Sequence, residues 1–369
     1  MKKINIIFSF LVLVAIAISC SVPDGISQDL TLDTTTAPTD VASLFDISND
    51  NTGNVNITPS ASGAGTYDVY FGDATANPTN VQFGSSISHK YNEGGYTVKV
   101  VANGLNGVVA EKTYPISIVF RAPENVTITI VKKGHNIKLK ASALYAASYI
   151  VYFGDAGSAE VGTPLATAEE IAHNYAAVGN YNIKIIALSG GLAKTEKTTT
   201  ITINDPLEFP ITFENPLVVY SFVASGRMSF AKVNNPNKLG INSSTTVGKF
   251  TKIALSDANA ATTSLLDNPI DFSNGNKVKV WIYNPNILNI GKKLTLELQS
   301  ADGGILADGV AILKVPITKS GEWEELVFDF STISVIPNTA RFSQIVFRYN
   351  DTSTGRSEVF YLDNIRLTN

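Results

Sequence analysis

The stretch YDVYFGD at residues 67–73 occurs a second time as YIVYFGD at residues 149–155. Three further short matches lie around it in the same order. The chain has APTDV at 37–41 and APENV at 122–126, HKY at 89–91 and HNY at 173–175, and YTVKV at 96–100 and YNIKI at 181–185. The offsets between partners stay between 82 and 85 residues. Four ordered matches at nearly constant spacing indicate a tandem repeat of one domain.

Each repeat consists of short runs in which polar and apolar residues alternate, such as YTVKVVA and YNIKIIA, with glycine and asparagine between them. Alternation with a period of two is typical of strands that bury one face. About 80 residues of such strands suit an antiparallel sandwich of the immunoglobulin type. We therefore predict two immunoglobulin-like domains, at 38–119 and 120–204.

The shared phrases resemble the PKD domain, an immunoglobulin-like family with a phrase ending in FGD, then His-x-Tyr, then Gly-x-Tyr-x-Val. Both repeats carry these phrases, although Tyr70 and Tyr152 stand near the usual tryptophan position. His89 and His173 occupy the same place in the two repeats. A metal or catalytic centre is not normally duplicated in two spacer domains, so we predict a structural role for both histidines.

The chain begins with MKKINIIFSFLVLVAIAISC, a basic start followed by an apolar run that is shorter than a bilayer-spanning helix. Its last residues, AISC at 17–20, resemble the lipobox of bacterial lipoproteins, and Cys20 is the only cysteine of the chain. The resemblance implies a signal peptide at 1–19 and lipid on Cys20. We expect a flexible tether at 20–37 and an anchor in the outer membrane that faces the cell exterior, with the periplasmic leaflet as the alternative.

Composition excludes several classes of protein. Hydrophobic residues make up 44% of the 369 positions and charged residues 16%, which is too apolar for a disordered chain. The net charge is −4 and no basic block is present, so nucleic acid is not an expected partner. One cysteine and three histidines leave no material for a disulfide framework or a multi-cysteine zinc site. We expect a monomer.

Residues 205–369 do not match the repeats and contain strand-like runs such as KVKVWIY, KLTLEL and EELVFDF. Their number suits a jelly-roll sandwich, which completes an all-β chain. Phrases such as ITFE at 211–214, GEWEEL at 321–326 and YLDNI at 361–365 resemble carbohydrate-binding jelly rolls. Together with the N-terminus, they resemble surface glycan-binding lipoproteins of polysaccharide-utilisation systems. This resemblance implies a polysaccharide ligand, such as a β-glucan, and an outer-membrane transporter complex as a partner.

Alternation selects candidate ligand-binding residues in the run 277–284. It places Val278, Val280 and Ile282 on the core face. Lys277 falls on the other face together with the three candidates, Lys279, Trp281 and Tyr283. An outward tryptophan is less common than a buried one and suits the apolar face of a sugar. The alternative is that a loop covers Trp281 or that it packs at a domain junction.

Neighbouring strands add polar candidates. Alternation turns Leu294, Leu296 and Leu298 toward the core and leaves Gln299 on the outer face. In the run 344–349, it leaves Arg348 on the outer face. These two side chains would join Trp281 in one site only if all three strands belong to the same sheet.

The carbohydrate-binding resemblance also implies a structural calcium ion between an early glutamate and a late aspartate. Glu214 and Asp363 occupy those positions, and calcium prefers oxygen ligands. The alternative is that both are ordinary polar residues at strand ends.

We expect no catalysis. The C-terminal region has no histidine or cysteine, and Glu324 and Glu325 would point to opposite faces of a strand. Two alternatives to glycan binding remain at this point. An adhesion protein would share the fold and bind a protein, and a jelly-roll hydrolase or lyase would need adjacent carboxylates in a cleft.

Overall fold

The computed structural model of the protein describes residues 36–105, 107–300 and 311–369. The predicted signal peptide, Cys20 and most of the predicted tether lie outside the described residues. The chain divides into two compact units, the first ending at Val119 and the second beginning at Phe120. No helix within the described ranges has the length and hydropathy needed to cross a membrane.

The first repeat is a sandwich of a three-stranded sheet, β1-β2-β5, and a four-stranded sheet, β4-β3-β6-β7, and all paired strands are antiparallel. Its strands are β1 (Thr39–Ile47), β2 (Asn54–Ser62), β3 (Ala64–Tyr70), β4 (Thr79–Gln82), β5 (Ile87–Lys90), β6 (Gly94–Gly104) and β7 (Val109–Ile118).

The second repeat has the same arrangement, with sheets β12-β9-β8 and β11-β10-β13-β14 and one short 3-10 turn, Gly157–Ala159. Its strands are β8 (Glu124–Lys133), β9 (Asn136–Leu144), β10 (Ser148–Tyr152), β11 (Thr163–Ala166), β12 (Ile171–Asn174), β13 (Gly179–Leu188) and β14 (Lys194–Ile203). The matching strand orders confirm that the repeated phrases mark one fold used twice.

The repeated phrases of the first repeat meet in one cluster, which we call the histidine clasp. The imidazole of His89 stacks on the ring of Phe71, with centroids 3.7 Å apart, and its Nε2 lies 2.7 Å from Oδ2 of Asp73. The Tyr91 hydroxyl donates to the carbonyl of Phe71 at 3.0 Å. The hydrogen bond from His89 lowers the pKa of Asp73 to about 2. His89, on β5, therefore ties the loop after β3 to the three-stranded sheet.

The second repeat contains the same clasp. His173 stacks on Phe153 with centroids 3.9 Å apart, its Nε2 lies 2.7 Å from Oδ2 of Asp155, and Tyr175 donates to the Phe153 carbonyl at 3.0 Å. These contacts account for both histidines as structural residues.

The glycine of each FGD phrase is required by its surroundings. Gly72 has φ +77°, and a Cβ there would lie 2.2 Å from the carbonyl oxygen of Thr97. Gly154 has φ +82°, and its Cβ would lie 2.5 Å from the carbonyl oxygen of Asn182. Any side chain at these positions would collide with backbone and strain its own conformation.

The C-terminal region is a sandwich of two five-stranded antiparallel sheets. We call β16-β17-β24-β19-β22 the tryptophan sheet and β15-β18-β23-β20-β21 the groove sheet. Within its described residues, this sandwich has three short 3-10 turns, Phe272–Asn274, Ile287–Asn289 and Phe330–Thr332. The strands are β15 (Val223–Ser225), β16 (Met228–Asn234), β17 (Thr246–Lys252), β18 (Ala261–Asp271), β19 (Lys277–Tyr283), β20 (Lys293–Gln299), β21 (Ile312–Pro316), β22 (Trp323–Asp329), β23 (Arg341–Tyr349) and β24 (Glu358–Thr368).

Apolar side chains from both sheets fill the space between them. Val278, Val280 and Ile282 of the tryptophan sheet are fully buried, as are Leu294 and Leu296 of the groove sheet. Phenylalanines dominate the centre of this core, and each fully buried one contributes roughly 1.5–3 kcal/mol. The predicted core faces of these strands are correct, and the predicted all-β architecture of two immunoglobulin-like sandwiches and a third sandwich is confirmed.

A buried ammonium group fixes the loops at one end of the C-terminal sandwich. Lys252, the last residue of β17, is inaccessible to solvent, and burial lowers its pKa. Its Nζ lies 2.7–3.0 Å from four backbone carbonyl oxygens, those of Ala258, Tyr349, Asn350 and Ser353. One charge thereby holds together the segments that follow β17 and β23.

We predict that Lys252→Met destabilises the C-terminal sandwich by about 3 kcal/mol, because four buried or partly buried carbonyl groups lose their donor. Urea unfolding of the two proteins measures the difference. Lys249→Met, on the same strand but half-exposed, is the matched control and should change stability by less than about 1 kcal/mol. Equal stability of the Lys252→Met variant and the wild type would contradict this role.

Candidate functional site

The candidate site lies on the outer face of the tryptophan sheet. Strand β19 runs between β22 and β24, so its outward residues are flanked on both sides. Lys279, Trp281 and Tyr283 alternate with the buried residues of β19 and are each half-buried. The structure thus brings these three predicted residues together on one face.

Trp281 is the centre of a polar network. Its indole Nε1 donates to Oε2 of Glu325 at 3.2 Å, and the guanidinium carbon of Arg366 lies 5.5 Å from its ring centroid. Arg366 also pairs with Glu325, and the ammonium of Lys279 lies 2.9 Å from Glu325. Trp281 is therefore held in place by charged neighbours and is partly open to solvent.

Glu325 is the charged partner shared by this network. Burial alone would raise its pKa, but hydrogen bonds from Lys279, Arg366 and Trp281 outweigh burial and keep the pKa below its ordinary value. The carboxylate is thus ionised at neutral pH and fixed in direction, as are the two cations beside it.

A second group of aromatic rings adjoins the network. The Tyr283 ring lies 5.6 Å from that of Trp323 and 5.8 Å from that of Tyr361, measured between centroids. Trp323 is buried, with 4% exposure, and its Nε1 donates to the carbonyl of Asn237 at 2.7 Å. Trp323 is thus a structural anchor for the loop after β16, whereas Tyr283 and Tyr361 stay half-exposed.

Gln299 and Arg348 do not belong to this site. They lie on β20 and β23 of the groove sheet, whose outer face points away from the tryptophan sheet. Their predicted outward orientation is correct. In the strand register, Gln299 lies opposite Gln344 and Arg348 lies opposite Thr295, on the outer face. The condition for all five residues to form one site is not met, because β20 and β23 belong to the groove sheet whereas β19 belongs to the tryptophan sheet.

Asp363 lies on β24, the central strand of the tryptophan sheet, and Glu214, which precedes β15, is near enough for its charge to act on Asp363. The Asp363 carboxylate is buried, and burial raises its pKa to about 6, although Ser244, Asn242 and the Asn364 N–H donate hydrogen bonds to it. The negative charge of Glu214 raises the pKa of Asp363 further.

These two carboxylates fit calcium only in part. Their oxygens are of the kind that calcium prefers, but Asn242 presents its amide N–H to Asp363, and Thr246 donates to Glu214 through both its N–H and its hydroxyl. In the part of the chain that the structure describes, no three histidine, cysteine, aspartate or glutamate side chains form a metal-binding group. Calcium binding here would require these donors to turn away from the carboxylates.

Glu324 and Glu325 face opposite sides of β22, as predicted. Glu324 is buried and accepts hydrogen bonds from Thr318 and the N–H of Lys319, while Glu325 joins the network around Trp281. These two neighbours therefore do not form a carboxylate pair around a common substrate position.

Sequence reasoning did not select Glu325, Arg366 or Tyr361 as site residues. All three belong to strands that flank β19, and the register places Glu325 and Asp363 beside Trp281 and Tyr361 beside Tyr283. The alternation in EELVFDF already turned Glu325 outward. In YLDNIRL, strict alternation would put Tyr361 and Arg366 on opposite faces, and they share the outer face because the register of β24 shifts between Asp363 and Arg366. The missing signal was which strands lie next to β19, which depends on contacts distant in sequence.

Comparisons with known proteins found no matching family model and no matching curated protein. Among solved structures, the chain is similar to SGBP-B from a complex xyloglucan utilization locus in Bacteroides uniformis. The identity is 14%, the match covers 90% of this chain and 99% of that chain, and the TM-score is 0.30.

Two further similar structures match smaller parts of the chain. A family 11 carbohydrate-binding module from Clostridium thermocellum, in complex with a β-1,3-1,4-mixed-linked tetrasaccharide, has 15% identity, coverage of 43% and 94%, and a TM-score of 0.31. A segment of two fibronectin type III domains from chicken tenascin has 13% identity, coverage of 45% and 99%, and a TM-score of 0.29.

Calcium binding at Glu214 and Asp363 stays a prediction. Thermal unfolding tests it at pH 7.5, because Asp363 is ionised at that pH. A ligand that binds only the folded state raises the melting temperature. We expect a higher melting temperature in millimolar calcium than in chelator, and no such difference in the Asp363→Asn variant. The same melting temperature for the wild type in both conditions would remove calcium from this site.

Proposed function

We propose that the protein is a non-catalytic carbohydrate-binding lipoprotein whose C-terminal sandwich binds polysaccharide on the outer face of the tryptophan sheet. The observation that carries this proposal is the half-exposed Trp281 ring, held by Glu325 and Arg366 beside the half-exposed Tyr283. Rigid rings next to fixed polar groups are what a sugar requires.

The chemistry of a sugar matches this face in two ways. Its C–H groups form an apolar patch that packs on an aromatic ring, and its hydroxyls both donate and accept hydrogen bonds. Lys279 and Arg366 supply donors and Glu325 supplies acceptors beside the Trp281 ring, with Arg366 over one face of that ring. Because the network already holds these groups in place, binding costs little side-chain entropy.

The two rival functions have less support. A hydrolase or lyase needs cooperating carboxylates, whereas Glu324 and Glu325 lie on opposite faces and Glu325 is held ionised by its neighbours. An adhesion surface for a protein partner would expose a large apolar patch, whereas the face around Trp281 is built from charged pairs.

We further propose that lipid on Cys20 anchors the chain to the outer membrane, where the two repeats act as spacers for the C-terminal sandwich. A bound polysaccharide would then be presented to a neighbouring uptake system, and many copies on one membrane would compensate for a weak single site. A β-1,3-glucan such as laminarin is the polysaccharide that we propose first. The AISC sequence at 17–20 supports the anchor.

The binding test compares Trp281→Ala with Trp281→Phe by calorimetry, after a screen of residues 21–369 against a panel of polysaccharides that includes laminarin. Loss of the ring should weaken binding by roughly 2 kcal/mol or more, as expected for a central aromatic contact. Phenylalanine keeps a ring face and loses the indole N–H, so it should retain most of the affinity. Lys277→Ala, on the same face of β19, is the control.

The folding of these variants is checked by thermal unfolding, and we expect small changes because Trp281 is only half-buried. Wild-type affinity in the Trp281→Ala variant would move the site elsewhere. Binding to no polysaccharide of the panel would overturn the proposed function.

The anchor is tested separately. Cys20→Ala removes the only thiol that can carry lipid, so the variant should move from the membrane fraction to the aqueous fraction. Unchanged membrane partition would exclude lipid on Cys20 as the anchor.

A further inference from the structure

The outer face of the groove sheet carries a polar groove on the opposite side of the C-terminal sandwich from Trp281. Its volume is about 460 Å³, within the range of small-molecule sites. It is lined by residues from β20, β21 and β23 and from the loops that follow β17 and β23: Asn259, Thr295, Glu297, Ile312, Lys314, Arg348 and Asp351.

The floor of the groove is unusually well buried for the outer face of a sheet. Thr295, Glu297 and Val346 have exposures of only 1–3%, although all three point away from the core between the sheets. The neighbouring long side chains and loops form the walls that shield them. A recess of this shape presents several polar groups toward one enclosed volume.

Two ion pairs line the groove, and within each pair the positive and negative charges neutralise each other. Arg348 pairs with Glu297, and the ammonium of Lys314 lies 2.8 Å from Oδ2 of Asp351. Gln299 donates to Glu297 at 2.8 Å, so it lies beside this network. Burial would raise the pKa of Asp351, but hydrogen bonds from Lys314 and Thr295 keep it below the ordinary value. The lining therefore holds two cations and two anions.

Lys252 positions one wall of the groove. The carbonyls that it binds include those of Asn350 and Ser353, which flank Asp351. Asp351 is thus fixed at the end of β23 by a buried ammonium on the other sheet. The wall does not depend on the ligand for its position.

The chemistry of the lining selects a class of ligand. An anion would meet Glu297 and Asp351, and a cation would meet Arg348 and Lys314, so a charged ligand gains little. An uncharged ligand with many hydroxyls suits paired charges, because each hydroxyl donates to a carboxylate and accepts from a guanidinium or ammonium. The described lining residues include no aromatic ring, so recognition here would depend on hydroxyl positions more than on stacking.

We propose that this groove is a second carbohydrate-binding site, independent of Trp281, so that one domain binds two glycan segments on opposite faces. The inference rests on the proposed function, since it takes the same class of ligand. It differs in mechanism, because one face binds through aromatic rings and the other through a fixed array of donors and acceptors.

The test is titration calorimetry of the mature chain with a β-1,3-linked glucohexaose, using variants of each face. Removing Arg348 alone would leave Glu297 buried without its partner, so the groove variant is the double substitution Arg348→Gln, Glu297→Gln, which removes both charges together. The aromatic variant is Trp281→Ala. Thermal unfolding confirms that each variant is folded, and Lys314→Ala, at the more exposed rim, provides a milder groove variant.

We expect the wild-type chain to bind two equivalents of the hexaose. The groove variant and the aromatic variant should each bind one equivalent, and the combined variant none. Lys314→Ala should weaken the groove equivalent severalfold and leave the other unchanged. One equivalent in the wild type that only Trp281→Ala removes would overturn the groove and keep the proposed function. Loss of all binding in the groove variant alone would keep the groove and remove the Trp281 site. A wild type that binds neither the hexaose nor any polysaccharide of the panel would overturn both.

Discussion

The packing of apolar side chains between the two C-terminal sheets determines what the rest of that sandwich can present to solvent. Because side chains alternate along a strand, each residue that packs in the core places its two neighbours on the outer face of the sheet. Val280 and Ile282 place Trp281 outside, and Leu294 and Leu296 do the same for Thr295. The two outer faces are thus fixed by the same core and differ in chemistry.

Charges buried in this sandwich are stabilised in different ways. Lys252 is surrounded by backbone carbonyls and Glu297 has Arg348, whereas Asp363 receives only neutral donors. Neutral donors do not compensate fully for burial, which is why the pKa of Asp363 rises to about 6. The folded state then binds a proton more tightly than the unfolded state. The contribution of this group to stability is therefore fully present below the ordinary pKa of 3.8 and is lost as the pH rises from there through about 6.

The sequence predicted more of the fold than of the site, for a physical reason. Strand alternation and the repeated phrases are local signals, and they correctly assigned the core faces of β19 and β20 and the structural histidines of both repeats. Which strands share a sheet is decided by contacts far apart in sequence. Alternation therefore leaves open whether Trp281 and Arg348 share a site, and the structure places them on different sheets. It also does not select Glu325 and Arg366, whose strands flank β19.

The close backbone approach at Gly72 and Gly154 has a consequence for how such repeats diverge. The core residues around each clasp can exchange one apolar side chain for another of similar volume, and surface positions can change freely. The glycine has no substitute, because a Cβ would overlap the carbonyl of the facing strand. In distant copies of this repeat, a glycine between an aromatic residue and an aspartate should thus persist after most other identities are lost, and it offers a fixed point for aligning them.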